Sequence, residues 1–113
     1  MLIYYLRYPQ YAIIKIEGHI EGFELDKFRQ PFQELALLGC QTIILNFEKI
    51  NYISSSILGY LIEEWRRKAE KGGKVVVCCL TPKVANLFEI THLFSIIDVY
   101  ETEEEAIEAI KKG

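Results

Sequence analysis

The chain has 113 residues, half of them apolar and 26% charged, which suits one domain with one real core and excludes a disordered chain. Its formal net charge of −3 argues against a direct nucleic-acid partner, because no basic stripe exists to neutralise phosphates. No apolar run reaches the length of a membrane span, and Met1 leads straight into strand-like sequence rather than a signal peptide. The expected setting is the cytoplasm, without membrane insertion.

Leu2 to Tyr8, rich in aromatic and aliphatic residues, predicts a first strand. Pro9-Gln10 makes a turn and Tyr11 to Glu17 predicts a second strand, with Ala12, Ile14 and Ile16 on a wholly apolar face. The short connection makes the two an antiparallel hairpin. Gly18 and Gly22 bracket a predicted loop carrying His19 and Glu21. A helix follows, with Leu25, Phe28, Phe32 and Leu35 at helical spacing. Pro31 lies inside that pattern and cannot donate to the Lys27 carbonyl, which predicts a kink or a restart. Gly39 suits the end of the helix.

Thr42 to Phe47 is a nearly continuous apolar run, the pattern of a parallel strand covered on both faces. After a predicted loop, Ile57, Leu58, Leu61, Ile62, Trp65 and Ala69 form the stripe of an amphipathic helix closed by Gly72-Gly73, with Trp65 expected to be largely buried. On the same helix Arg66-Arg67-Lys68 follows Glu63 and Glu64, which reads as a solvated face with acid–base pairing at helical spacing. Lys74 to Leu80 predicts a buried strand, in which Cys78 and Cys79 point to opposite faces. Thr81-Pro82 opens another helix, with Val84, Leu87 and Phe88 facing inward. Ile96 to Tyr100 suits a short last strand. Thr102 with Glu105 makes a capping box for a final helix that buries Ala106, Ile107 and Ile110. The whole is one α/β domain over residues 1–113: a mixed sheet, with an N-terminal antiparallel hairpin leading into parallel strands joined by helices.

Few residues point to chemistry. Cys40, Cys78 and Cys79 form neither a CxxC motif nor a disulfide framework, and read as small apolar residues in a reducing compartment. Ser54, Ser55 and Ser56 lack the G-x-S-x-G elbow. His19 reads as a loop residue and His92 as a helix-end residue, at no spacing that suggests a triad. Neither a metal-ligand cluster nor a Gly-rich phosphate loop is present, so no catalytic residue, metal or cofactor is expected. The three serines directly before the stripe of Ile57 and Leu58 read as helix caps. A helix N-terminus also offers unpaired N–H groups and partial positive charge, so the protein itself would tolerate a phosphoryl group there. A phosphoserine adds about −1.5 to −2 charges, enough to disrupt an interface without changing the fold.

The succession of pieces from Ile44 to Ala106 resembles the STAS family (sulfate transporter and anti-sigma-factor antagonist). It runs from an apolar strand through Tyr52-Ile53-Ser54-Ser55-Ser56-Ile57-Leu58-Gly59, a helix and Gly72-Gly73 to the strand Lys74-Val75-Val76-Val77-Cys78. Thr81-Pro82, Leu87-Phe88-Glu89, Ile90-Thr91-His92-Leu93, Asp98-Val99-Tyr100 and the acidic start at Glu103-Glu104-Glu105-Ala106 complete it. Within the family the central segment usually reads Asp-Ser-Ser/Ala/Thr-Gly-Leu-Gly. Aligned on Leu58-Gly59, the phosphorylatable serine falls on Ser56, Ser54 replaces the usual aspartate and Ile57 replaces the usual glycine. The resemblance implies a non-enzymatic anti-sigma-factor antagonist in transcription regulation, with a serine-kinase-type anti-sigma factor as partner and phosphorylation at Ser56. The alternative it implies is a STAS scaffold or accessory subunit of a signalling or membrane-transport complex, without a phosphate switch. The expected docking surface comprises Ser54, Ser55, Ser56, Gly59 and Tyr60, with Tyr52 and Tyr60 as aromatic anchors and the Gly18–Gly22 loop beside them.

Overall fold

A computed structural model describes residues 1–112. The hairpin forms as expected: β1 (Leu2–Arg7) lies antiparallel to β2 (Ala12–Ile20). Helix α1 spans Leu25–Leu37, β3 Thr42–Ile53, α2 Ser55–Glu70, β4 Lys74–Cys78, α3 Pro82–Ile90, β5 Val99–Tyr100 and α4 Glu103–Lys112. Among the described residues the five strands stand in sequence order, and every pairing after the hairpin is parallel. This is the mixed sheet that the sequence patterns call for.

Two layers of helix sandwich the sheet. On one face Phe28, Phe32 and Leu35 of α1, Ile57, Leu58 and Leu61 of α2, and Val84 and Phe88 of α3 close over Ile14, Ile16, Leu45, Phe47 and Val77. On the other, α4 sets Ala106 against Ile13, Ile44, Val76 and Cys78, with Ile107 and Ile110 only partly buried. The continuous apolar run of β3 follows from this double coverage, since both of its faces are shielded from water.

The helix ends obey local chemistry. Gly39 takes φ +79°, and its N–H and that of Cys40 donate to the Ala36 and Leu35 carbonyls. Gly72, at φ +80°, and Gly73 repeat the arrangement on Ala69 and Lys68, so both helices stop by a Schellman motif. Thr81 caps α3, accepting from the Val84 N–H, with Pro82 at the first turn. The Glu105 N–H donates to Thr102 Oγ1 at 3.1 Å, as the α4 cap requires.

Several expectations need correction. Helix α1 runs unbroken through Pro31, which is itself buried; packing of Phe28, Phe32 and Leu35 outweighs the one backbone bond that proline removes. Strand β2 continues through Gly18 and His19 to Ile20, and β3 continues past Phe47 to Ile53. The two stay paired across register shifts at Lys15/Glu17 and Gly18/His19. The expected loops there are thus irregular strand, with Gly18 at φ +106° supplying a backbone that side-chain-bearing residues avoid. Strand β4 ends at Cys78, because Cys79 turns to φ +62°, and the last strand holds only Val99 and Tyr100. Trp65 is half-buried rather than largely buried, and Ala69 is exposed. The buried face of α2 instead takes in Glu64 and Lys68, at 2% and 1% exposure, so that part of the expected solvated face lies inside.

Candidate functional site: the serine loop

Strands β2 and β3 end side by side, tied by a bond from the Ser54 N–H to the Ile20 carbonyl at 3.0 Å. The chain then turns directly into α2. Ser54 is the N-cap, in extended conformation, and its Oγ accepts from the Ile57 N–H. Ile57 is fully buried and Leu58 nearly so, so the first turn is pinned to the core from below. Ser55 and Ser56 face outward. Only Ser54 is engaged as the cap. Ser56 Oγ lies 3.2 Å from Ser54 Oγ, within hydrogen-bonding distance, and is otherwise open to solvent.

The electrostatics of this end are simple. The first turn of α2 holds no acidic residue, and the last holds Arg67 and Lys68. Aligned peptide dipoles therefore leave the serine end partially positive and uncompensated from within the helix. Next to it Gly22 comes so close that a Cβ there would stand 2.9 Å from Ser56 Oγ. Its neighbour Phe23 is 87% exposed, an aromatic beside the loop that the sequence patterns gave no reason to single out.

The other candidate residues separate. Gly59 is exposed with open space around it, leaving the helix backbone approachable. Tyr52 is exposed and tilted against His19 at 6.0 Å between ring centres. Both line an open groove of about 470 Å³ with Glu21, Asn51, Lys83, Asn86 and Leu87. Tyr60, expected as an outward anchor, turns inward. Its ring meets Phe28 and Phe32 edge-on at 6.0 and 5.7 Å, and its hydroxyl donates to Glu64 Oε2 at 2.7 Å. Burial, then the Glu64 carboxylate, push its phenol well above the ordinary range, so it stays protonated as the donor. Among the described residues no group of three or more His, Cys, Asp or Glu could hold a metal ion, and no helix is long and apolar enough to cross a membrane.

An α/β domain of this strand order, with a capped serine loop opening its second long helix, defines a class. The STAS domain model matches residues 5–106, and the chain belongs to the STAS domain family. It is 27% identical over 96 residues to the anti-sigma F factor antagonist of Paenibacillus polymyxa, covering 84% of this chain and 82% of that one. It is 32% identical over 96 residues to BtrV of Bordetella bronchiseptica, assigned as an anti-sigma factor antagonist, covering 85% and 83%. Among solved structures, the anti-sigma factor antagonist SpoIIAA in its unphosphorylated form superposes with a TM-score of 0.84 at 21% identity, covering 99% of this chain and 98% of that one. Its phosphorylated form, from Bacillus, gives 0.75 at 22%, covering 96% and 99%.

Proposed function

We propose that this protein is an anti-sigma-factor antagonist: a cytoplasmic binding regulator, itself no catalyst, that docks on a serine-kinase-type anti-sigma factor and is switched by phosphorylation of Ser56. The observation that carries this reading is the division of labour between two serines. Ser54 caps α2, which leaves the Ser56 hydroxyl exposed at a helix N-terminus and free for modification. The P. polymyxa relative is named for antagonism of an anti-sigma factor, and SpoIIAA has both unphosphorylated and phosphorylated forms. Both facts support the same role here. A phosphate at Ser56 would sit where the helix field welcomes it. A partner packed on Ser55, Ser56, Gly59 and Tyr52 would then face a charge that it must desolvate.

The test uses two variants and a purified anti-sigma factor of the kinase class from the same organism. Ser56→Ala and Ser56→Asp are both expected to fold, the first because Ser54 is the cap, the second because a carboxylate suits a helix N-terminus. Calorimetry is expected to show wild-type-like binding by Ser56→Ala and a loss of about 100-fold or more by Ser56→Asp. Incubation of the wild type with the partner and ATP should add one phosphate, mapped by mass spectrometry to Ser56. Equal binding by the two variants would rule out a charge switch at this position.

A further inference from the structure

Among the described residues, one side of the sheet ends in a strand whose outer edge pairs with no other strand. Among the described residues β1 pairs only with β2, so its outer row of backbone N–H and C=O groups has no strand beside it. Ile3 and Tyr5 point inward and pack against the main core. The alternate row is Leu2, Tyr4, Leu6 and, one position past the strand, Tyr8, exposed at 55%, 42%, 43% and 40%. Helix α4 lies on this face of the sheet, but packs over β3, β4 and β5.

Open sheet edges are usually blunted by lysine, inward charge, proline or a bulge within the strand. β1 has none of these. Its one charge, Arg7, is turned aside, with Nη2 donating to the Leu38 carbonyl at 3.1 Å, and Pro9 comes only after the strand has ended. We propose that this edge is an interface with a second copy of the chain, in which the two β1 strands pair antiparallel across a two-fold axis and join the sheets.

Register, charge and area favour a second copy over a different protein. Two identical strands paired antiparallel form a closed, isologous contact, so one patch satisfies both sides. Faces must match across the pair, which allows only registers that keep the even-numbered row together. Centring the axis on Tyr5 sets Leu2 opposite Tyr8 and Tyr4 opposite Leu6 of the second copy, so each exposed apolar residue meets another, aromatic against aliphatic. In that register Arg7 falls opposite Ile3, and the two Arg7 side chains stand about 13 Å apart along the strands, clear of like-charge contact. At the observed exposures the four side chains offer on the order of 350 Å² per copy, the size of a functional patch. With the strand edges, the pair approaches about 1,000 Å², the lower bound for a specific interface. The dimer is therefore reversible.

Sedimentation equilibrium of the full chain, from about 10 μM to 1 mM, tests this without any other partner, so its outcome is separate from that of the regulatory reading. The mass is expected to rise from the 13.1 kDa of one chain toward twice that value. Leu6→Lys, a change at an exposed position, is expected to stay at the monomer mass throughout with an unchanged melting temperature. In a Cys79→Ser background, Tyr5→Cys should cross-link to itself under mild oxidation, because paired residues on antiparallel strands bring their Cβ atoms within disulfide reach. A wild type that remains monomeric at 1 mM overturns the proposal and leaves the strip to a different protein. Undiminished dimerisation of Leu6→Lys overturns it equally.

Discussion

Lys68 and Glu64 form a buried ion pair on α2, and breaking it is the most informative stability test in the molecule. Their side chains are 2% and 3% exposed, with Nζ 3.4 Å from Oε1. The second oxygen of Glu64 takes Arg67 and the Tyr60 hydroxyl, and Tyr60 in turn meets Phe28 and Phe32 of α1. Lys68→Ala therefore removes the cation that faces Glu64 Oε1, a buried oxygen that accepts no hydrogen bond among the described residues. Breaking such pairs costs about 3–5 kcal/mol. Arg67 remains to offset part of the charge, which places this case near 3 kcal/mol. At roughly 4 °C per kcal/mol for a domain of this size, the melting temperature should fall by about 12 °C. Replacing both charges, as Glu64→Leu with Lys68→Met, is expected to recover part of that loss, since no buried charge is then left unpaired and only the Tyr60 hydroxyl loses its acceptor. Urea unfolding followed by circular dichroism measures all three proteins. A loss under about 1 kcal/mol for Lys68→Ala would mean the pair behaves as a solvated one, and that this face of α2 is not closed in solution.

Two neighbouring glycines should respond differently to alanine. At Gly73 a Cβ would lie 1.9 Å from the Gln41 carbonyl oxygen, whereas at Gly72 it would meet open space but a positive φ. Gly72→Ala is expected to cost about 1–2 kcal/mol and Gly73→Ala clearly more, read from chemical unfolding; the reverse order would contradict the packing of the α2–β4 turn. Burial raises the thiols of both Cys78 and Cys79 above the ordinary range, which favours the protonated form of each. Timed alkylation followed by mass spectrometry is expected to modify partly exposed Cys79 before buried Cys78, and prompt labelling of Cys78 in the native protein would refute its burial. Finally, Ser54→Asp combined with Ser56→Asp should be less stable than the two single changes sum to, by about 1 kcal/mol at low salt. Additive melting shifts would separate the two hydroxyl positions that now lie 3.2 Å apart.

Much of the fold was legible because its signals are local. Gly39, Gly72-Gly73 and Thr81-Pro82 stop and start helices by backbone chemistry confined to a few residues, and each does so in the structure. The continuous run Thr42–Phe47 and the spacing of Ile57, Leu58 and Leu61 likewise required only periodicity. What the sequence hid depends on distant partners. The polar pair Glu48-Lys49 breaks the apolar pattern and reads as loop, yet Lys49 stays in β3 because β2 runs on beside it through two register shifts. Glu64 and Lys68 read as solvated because each is charged, but they neutralise one another one turn apart and so can be covered. Of the two tyrosines marked as anchors, Tyr52 is exposed and Tyr60 packs on α1. The choice depends on where α1 lies, which no pattern within Tyr52–Tyr60 encodes.

The two departures from the usual family segment acquire a physical meaning in this arrangement. Where an aspartate is usual, Ser54 supplies the same cap without a charge, its oxygen accepting from the Ile57 N–H. A carboxylate there would stand next to the Ser56 hydroxyl and oppose a second negative group by about 1–4 kcal/mol at the effective dielectric of a protein surface. A neutral cap removes that opposition, and the first turn carries no other acid to replace it. Where a glycine is usual, Ile57 is fully buried and fastens the first turn to the core, which a residue without a side chain cannot do. The loop is thus held from below and left uncharged from above. A group attached at Ser56 would act on whatever docks against the surface, because the turn beneath it is already fixed by Ser54 and Ile57.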